Sequence, residues 1–264
     1  MRAPAAAGEQ VLAALLELAP SGVEQVDGDG WVEYAVYGAP GELPALPDGQ
    51  AEVAGVTVAV SGRQVPADWA ERWRRFHVPV LVGGRLYVRP PWEEPAERAG
   101  AIDLVIDPGQ AFGTGAHPST RLSLELLLEV DPSGSLADLG CGSGVLAIAA
   151  SKLGFSPVVA VDSDREAVAA TVENARANGV ELERVLRADL RQSPSPTADV
   201  MTANLTRPLL RRLAESMEAP PARMIVSGLL EDEADELSRA FRSARLKELR
   251  RLADRGWVAL LLGR

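Results

Sequence analysis

The sequence predicts an α/β fold whose larger part is a doubly wound, mostly parallel sheet, on three observations. From Leu136 onward, strand-like and helix-like apolar runs alternate. The stretch Leu136 to Val145, L-A-D-L-G-C-G-S-G-V, reads as a strand, a glycine-rich turn and a helix start. Asp162 ends the next apolar run, 22 residues beyond Gly140. A glycine turn after the first strand and an acid at the end of the second, about 20 residues on, is the general plan of an adenosine-binding sheet.

In chain order, Glu9 to Leu18 sets Val11, Leu12, Leu15 and Leu16 at helical spacing, and Pro20-Ser21-Gly22 stops it. Strands are expected at Gly22 to Val26, Trp31 to Tyr37 and Val53 to Val60, with a Pro/Gly-rich loop from Ala39 to Gly49. Residues 1–62 thus form a small N-terminal module. Residues 63–98 read as a linker: a helix from Pro66 to Phe76 with Trp69 and Trp73 on one face, a hairpin around Gly83-Gly84, and P-P-W-E-E-P from Pro90.

The main domain, 99–264, opens with a strand at Ile102 to Ile106, followed by Q-A-F-G-T-G-A-H-P-S-T (Gln110 to Thr120) and an apolar helix from Leu122 to Val130. Seven strands are expected at Leu136 to Leu139, Val158 to Val161, Arg184 to Arg187, Ala198 to Ala203, Met224 to Ser227, Lys247 to Arg251 and Trp257 to Leu262. Helices are expected at Val145 to Leu153, Glu166 to Asn178, Leu209 to Glu218 and Glu231 to Ser243. Too few residues separate the last two strands for a helix, so they should pair antiparallel at the sheet edge.

Composition excludes several classes. With 264 residues and 47% hydrophobic content, the chain can bury a core. A single cysteine, Cys141, excludes a disulfide within the chain and favours a reducing, cytoplasmic compartment. No apolar run reaches the ~18–20 residues of a membrane span, and Glu9 and Glu17 argue against a signal peptide. A net charge of −10 speaks against direct nucleic-acid binding. No metal-ligand spacing is present, so no metal is expected.

The glycine turn departs from a dinucleotide site, because Val145 takes the sixth place of G-x-G-x-x-G. Asp138, two residues before Gly140, would repel a pyrophosphate and suits a cationic ligand. S-adenosylmethionine carries a sulfonium and an ammonium group and no phosphate, and is favoured over a dinucleotide. Asp162 is placed for the ribose hydroxyls, with Gly140, Gly142 and Ser163 in the two turns. Asp189, after the third strand, is placed for the adenine amino group, although a solvated turn aspartate explains it nearly as well. After the fourth strand, Asn204 offers a carbonyl that could orient an amine toward a methyl group. Thr206 makes the better helix cap, which leaves Asn204 for that task.

D-P-G-Q-A-F-G-T-G-A-H-P-S-T (Asp107 to Thr120), D-L-G-C-G-S-G-V-L-A-I-A-A (Asp138 to Ala150), V-D-S-D (Val161 to Asp164), A-N-L (Ala203 to Leu205), D-W-x-x-x-W (Asp68 to Trp73) and Pro91-Trp92 together resemble the ribosomal protein L11 methyltransferases and the related electron-transfer flavoprotein lysine methyltransferases. The resemblance implies a class I methyltransferase fold. That fold is a Rossmann-like, doubly wound seven-stranded sheet with an antiparallel last strand, preceded by a small α/β module of reduced ferredoxin-like form for substrate recognition. It implies S-adenosylmethionine as methyl donor and lysine side chains and the α-amino group of ribosomal protein L11 as acceptors. By the family pattern Thr120, Gly140, Asp162 and Asn204 contact the donor or the reacting amine, and Phe112 and Gly113 lie over the donor. His117 pins the loop or acts directly. The family's module opens with a strand, whereas here a helix begins near Glu9 and the loop at Ala39 to Gly49 replaces the second helix. The front module is therefore expected to be reduced. Three readings remain: a protein amine methyltransferase, which leads; a methyltransferase of small molecules or nucleic acid; and a non-catalytic adenosyl-binding protein.

Overall fold

The computed structural model describes residues 1–8, 10–12, 15, 24–28, 30–36, 49–62, 78–95, 100–107, 115 and 117–264. They fall in two compact units, Met1–Ala70 and Glu71–Arg264. No helix among the described residues is long and apolar enough to cross a membrane.

The first unit holds β1 (Arg2–Pro4), β2 (Glu24–Gly28), β3 (Trp31–Ala35), β4 (Gly49–Val53) and β5 (Val56–Val60). They form one antiparallel sheet in the order β2-β3-β1-β5-β4. Period-two burial puts Val32 and Tyr34 inward with Ala3, Val53 and Val58, and Val11 and Leu15, one helical turn apart, join that core. The buried Tyr34 hydroxyl donates to Gly8 O at 2.8 Å.

Two expectations are corrected in this unit. A strand, β1, precedes the first helical residues, so the module does not open directly on a helix. Val53 to Val60 is not one strand but the end of β4, a two-residue turn and β5, with Ala54 at φ 51° and Gly55 at φ 77°. Positive φ at both central residues is the type I′ turn, and alanine is a poor signal for it. Most of the expected loop at Ala39 to Gly49, and the expected helix carrying Trp69 and Trp73, lie outside the described residues.

In the second unit, β6 (Val80–Val82), β7 (Leu86–Arg89) and β8 (Ile102–Val105) form a three-stranded sheet. Its inward residues Val82, Leu86, Val88 and Leu104 pack in one core with Leu122 and Leu126 of α1 (Pro118–Leu127). The hairpin within the stretch expected as linker is thus part of this unit's core.

The rest is β9 (Leu136–Leu139), α2 (Val145–Leu153), β10 (Val158–Asp162), α3 (Arg165–Ala177), β11 (Arg184–Arg187), β12 (Val200–Asn204), α4 (Arg207–Ser216), β13 (Arg223–Leu230), α5 (Ala234–Ser243), β14 (Lys247–Asp254) and β15 (Trp257–Gly263). The sheet runs β11-β10-β9-β12-β13-β15-β14, parallel except for β15, which is antiparallel to both neighbours. This is the expected doubly wound, seven-stranded sheet. The last hairpin forms at the sheet edge as expected, with the antiparallel β15 between β13 and β14. β9 is buried along its length, as a central strand covered on both faces must be. Leu136 faces one core, with Ile148 and Val158, while Ala137 and Leu139 face the other, with Met201, Leu210 and Phe241.

Two asparagines one turn apart, Asn174 on α3 and Asn178 at its C-cap, tie this helix to β8 and the residues that follow it. Asn178 Oδ1 accepts from Val105 N at 2.9 Å, and its amide donates to Val105 O at 2.6 Å. Asn174 Oδ1 accepts from Asp107 N at 2.9 Å, and its amide donates to Ser143 O at 2.9 Å. Asn174 is buried, so its removal strands the carbonyl of the buried Ser143 and frees the N–H of the exposed Asp107. Asn174→Ala should cost about 2–3 kcal/mol, from one to two stranded polar groups. Urea denaturation of the variant against the parent protein measures this.

Candidate active site

At the C-terminal ends of β9, β10, β12 and β13 a cavity of about 890 Å³ opens. Ligands bind there in open α/β sheets because the strand order reverses at β9, with β10 and β11 on one side and β12 and β13 on the other. The floor is the turn after β9. Gly140, Gly142 and Gly144 have φ of 75°, 53° and 82°, a left-handed series that only glycine adopts readily. Gly140 also faces Leu205, whose Cδ2 would stand 2.2 Å from an added Cβ. Gly140 N and Cys141 N donate to Val161 O at 2.8 and 3.0 Å, so the turn is stitched to β10. Cys141 is buried and burial pushes its thiol up, which removes it as a nucleophile.

Asp162, at the end of β10, lines the cavity. Its carboxylate accepts from Gly142 N and Asp164 N, both at 3.0 Å. A carboxylate offers about four lone-pair sites, so capacity remains for two ligand hydroxyls. Ser163, Gly140, Gly142 and Asp189 also line the cavity. Asp189 accepts from Arg191 N and Nε, both at 2.9 Å, and from Gln192 Nε2 at 3.1 Å. The hydrogen bond from the Arg191 side chain is the main cause that holds its carboxyl below the usual range. It is a turn-forming aspartate that also borders the cavity.

Asn204 ends β12 and lines the cavity. Its amide Nδ2 donates to Thr120 Oγ1 at 3.3 Å, which leaves Oδ1 as the group available to a ligand. Thr206 holds the N-cap position of α4 but makes no side-chain capping bond, so it is the pairing with Thr120 that commits Asn204.

Two expected contacts are corrected. Asp138 is fully buried and absent from the cavity wall. Its position on β9 turns it toward α2: Thr202 Oγ1 donates to it at 2.7 Å and Ala147 N at 3.2 Å. It braces the helix start behind the turn instead of facing the ligand. Thr120 is also buried and absent from the wall, and its hydroxyl accepts from the Asn204 amide. Phe112 and Gly113 lie outside the described residues.

His117 is the N-cap of α1, with Ser119 N donating to Nδ1 at 3.3 Å. Its ring meets Trp257 edge-on, with centroids 4.7 Å apart, and burial lowers its pKa. Both side chains line the cavity. Trp257 and Gly228 are lining residues that sequence reasoning missed. Gly228 carried a readable signal, since a lone glycine in the apolar run M-I-V-S-G-L-L marks a bulge or a close approach. Nothing in the sequence singled out Trp257.

Comparison with known proteins agrees with this geometry. A family model described as ribosomal protein L11 methyltransferase matches residues 50–264. A ribosomal protein L11 methyltransferase of Bordetella bronchiseptica is 36% identical, over 90% of this chain and 89% of its own length. Those of Caldanaerobacter subterraneus and Symbiobacterium thermophilum are 36% and 39% identical over 74% of this chain, but the match spans only 64% and 65% of their own lengths. The crystal structure of a ribosomal protein L11 methylase from Lactobacillus delbrueckii subsp. bulgaricus superposes with a TM-score of 0.65 at 27% identity, covering 71% of this chain and 99% of that one.

Burial pushes the Asp138 carboxyl up to about 7 from its ordinary 3.8, against the pull of its two donors. The folded protein then holds a proton that the unfolded chain has released, so this group's contribution to stability falls as pH rises between 3.8 and about 7. Thermal melts of Asp138→Asn across that window should slope less steeply downward with pH than those of the parent.

Proposed function

The chain belongs to the ribosomal protein L11 methyltransferase family, and from that premise we propose that it is an S-adenosylmethionine-dependent protein N-methyltransferase of lysine and α-amino groups, with ribosomal protein L11 as its substrate. The observation that carries the reading is Asn204. Its carbonyl, oriented by Thr120, shares one cavity with the glycine turn and Asp162. The single, buried cysteine suits the cytoplasm, where this substrate is assembled.

The residues present fit S-adenosylmethionine. Asp162 has acceptor capacity for two ribose hydroxyls, Leu190, Leu205 and Leu209 give apolar walls, and the backbone of Gly140 and Gly142 permits close approach. When bound, the donor supplies a methyl group on a positively charged sulfur that an amine can displace. The chain's own part is to position and to desolvate. A lysine amine has an ordinary pKa near ~10.4 and must be neutral to attack. Among the described residues that line the cavity, the acceptor side offers Asn204, Ser119, His117 and Trp257, and no carboxylate that would hold the amine as ammonium. Asn204 Oδ1 accepts an N–H and turns the nitrogen lone pair toward the donor, which is catalysis by orientation.

Incubating the protein with methyl-labelled S-adenosylmethionine and a ribosomal extract should label ribosomal protein L11. Label in RNA or in a small amine would overturn the substrate assignment, and no label at all would overturn the enzyme reading. Asn204→Ala should lower turnover by about 100-fold while S-adenosylhomocysteine affinity, read by calorimetry, stays within about threefold. Thr120→Val keeps the shape and loses one hydrogen bond worth ~1–1.5 kcal/mol, so turnover should fall about tenfold with donor affinity again unchanged. Gly140→Arg fills the turn and should abolish donor binding; retained calorimetric binding would show that the donor lies elsewhere.

A further inference from the structure

Charge is unevenly placed on this chain. Against a net charge of −10, residues 239–251 carry six basic side chains, Arg239, Arg242, Arg245, Lys247, Arg250 and Arg251, and one acid, Glu248. The fold gathers them. Arg239 and Arg242 lie three apart on α5 and share a face, and Arg250 and Arg251 stand on β14, the edge strand of the sheet. Between α5 and β14 runs an open groove of about 730 Å³, lined by these four arginines with two carboxylates, Asp235 and Glu248, among them. One arginine takes up both carboxylates: Arg251 Nη2 lies 2.8 Å from Asp235 Oδ1 and 2.9 Å from Glu248 Oε2. Arg250 reaches Glu129, which is not part of the groove, at 3.6 Å. Arg239, Arg242, Arg245 and Lys247 make no ion pair among the described residues.

The backbone adds a second observation. Arg245 stands at φ 65° in the turn that ends α5, where Leu246 N donates to Phe241 O and Arg245 N to Arg242 O, both at 3.0 Å. This is the Schellman end of a helix, and glycine is the usual residue in its left-handed place. Arg255, at φ 50° in the turn from β14 to β15, is another arginine where glycine or asparagine is favoured. Both ends of β14 thus hold an arginine against backbone preference. Ordinary roles cover part of the cluster. A cation in the last turn of α5 complements the helix dipole, which accounts for Arg242. Charges on an edge strand deter pairing with other chains, but acids serve that purpose as well as bases. Neither role explains a single sign of charge carried from the second half of α5 along β14.

The lining tells which anion fits. Among the described residues Leu249 is its one apolar member, and none is aromatic. A protein partner is anchored by aromatic and aliphatic side chains in pockets, and unpaired bases stack on aromatic rings. α5 lies against the sheet with Leu237 and Phe241 in the core, so it does not project into a major groove. A duplex backbone needs none of these, because its phosphates are held by cations without any reading of bases. We infer that the face formed by α5 and β14 binds the phosphate backbone of double-stranded RNA. The acidic remainder of the chain repels a polyanion and confines it to this face. RNA is chosen over DNA because the proposed methyl acceptor is a ribosomal protein, and that choice rests on the proposed function; the cationic face does not.

Fluorescence anisotropy of a short labelled RNA duplex, titrated with the full chain, tests this. Contacts from the four cations without an ion pair predict a log–log salt slope of about −3.6, so affinity should be about 150-fold lower at ~200 mM salt than at ~50 mM. Joint replacement Arg239→Ala and Arg242→Ala should flatten that slope by about two and weaken binding at ~50 mM salt at least about tenfold. Melting temperature and S-adenosylhomocysteine affinity should stay at the parent's values, which shows that the fold is intact. Arg165→Ala with Arg176→Ala is the control: both are exposed on α3, and the change in charge is the same. This pair should leave duplex binding unaltered. No duplex binding by the parent at ~50 mM salt overturns the inference, and an equal loss in both double variants overturns the location. A DNA duplex bound as tightly as the RNA overturns the choice of RNA. Polyglutamate that displaces the duplex at equal charge overturns the nucleic-acid assignment in favour of an acidic protein. None of these readouts uses methyl transfer. Failure of the proposed function shows instead in unlabelled ribosomal protein L11 and in absent S-adenosylhomocysteine binding by the parent.

Discussion

The constraint on which the rest of the structure depends is the reversal of winding at β9. Parallel partners flank this strand on both sides, β10 on one and β12 on the other, and the chain leaves its C-terminal end through a turn of left-handed glycines. An added side chain at Gly140 would push on Leu205 at the exit of β12, so this glycine also bears on packing there. Buried polar groups hold this arrangement from behind. Asp138 joins β9, β12 and the start of α2, while Asn174 joins the turn at Ser143 to the backbone at Asp107. Each is out of reach of water, so each hydrogen bond is obligatory, and the turn has one position in which all of them are made.

Most of the second unit was legible in the sequence because its strands obey strong local rules. Leu136 to Leu139, Arg184 to Arg187 and the helix Val145 to Leu153 fall where apolar runs and the glycine punctuation put them. The order of strands beyond β12 was not legible. That β15 returns between β13 and β14 depends on which faces are left to bury, a tertiary matter with no local signature. In the first unit, β1 was missed because three residues, one of them proline, carry no period. The hairpin between β4 and β5 was missed because Ala54 occupies a positive-φ position that asparagine or glycine usually announces.

The same distinction separates the site residues. Gly140, Gly142, Asp162, Ser163, Asp189 and Asn204 were readable because they follow strands of a known plan, and all border the cavity. Asp138 and Thr120 belong to the same motifs but stand one layer back. Motif membership tells which residues a site needs, and not which of them touch the ligand. Side-chain direction decides that: on β9, Asp138 shares a face with Leu136, and that face is covered by α2. Gly228, despite its local glycine signal, and Trp257, which had none, were not assigned to the site for the converse reason. They enter the cavity through β13 and β15, strands whose placement the sequence left open.

The cavity is chemically asymmetric, and under the proposed function the asymmetry bears on the reaction. On the side of β10 and β11 it carries Asp162 and Asp189; on the side of β12, β13 and β15 its described lining holds no carboxylate, only the Asn204 amide, the Ser119 and Thr206 hydroxyls, the Trp257 indole, the Arg212 guanidinium from α4 and an imidazole held at lowered pKa by burial. A carboxylate on the second side would bind an incoming lysine more tightly, but as ammonium, whose nitrogen has no lone pair to give. One opposite charge within ~4–6 Å is worth 1–3 pKa units, so such a carboxylate would deepen the deficit of neutral amine by about 10- to 1000-fold. Neutral acceptors bind less strongly and leave the lone pair in place. The pairing of Asn204 with Thr120, in place of an ionisable partner, is therefore a choice of reactivity over affinity. On that argument, affinity for the protein substrate has to come from surfaces away from the reacting nitrogen.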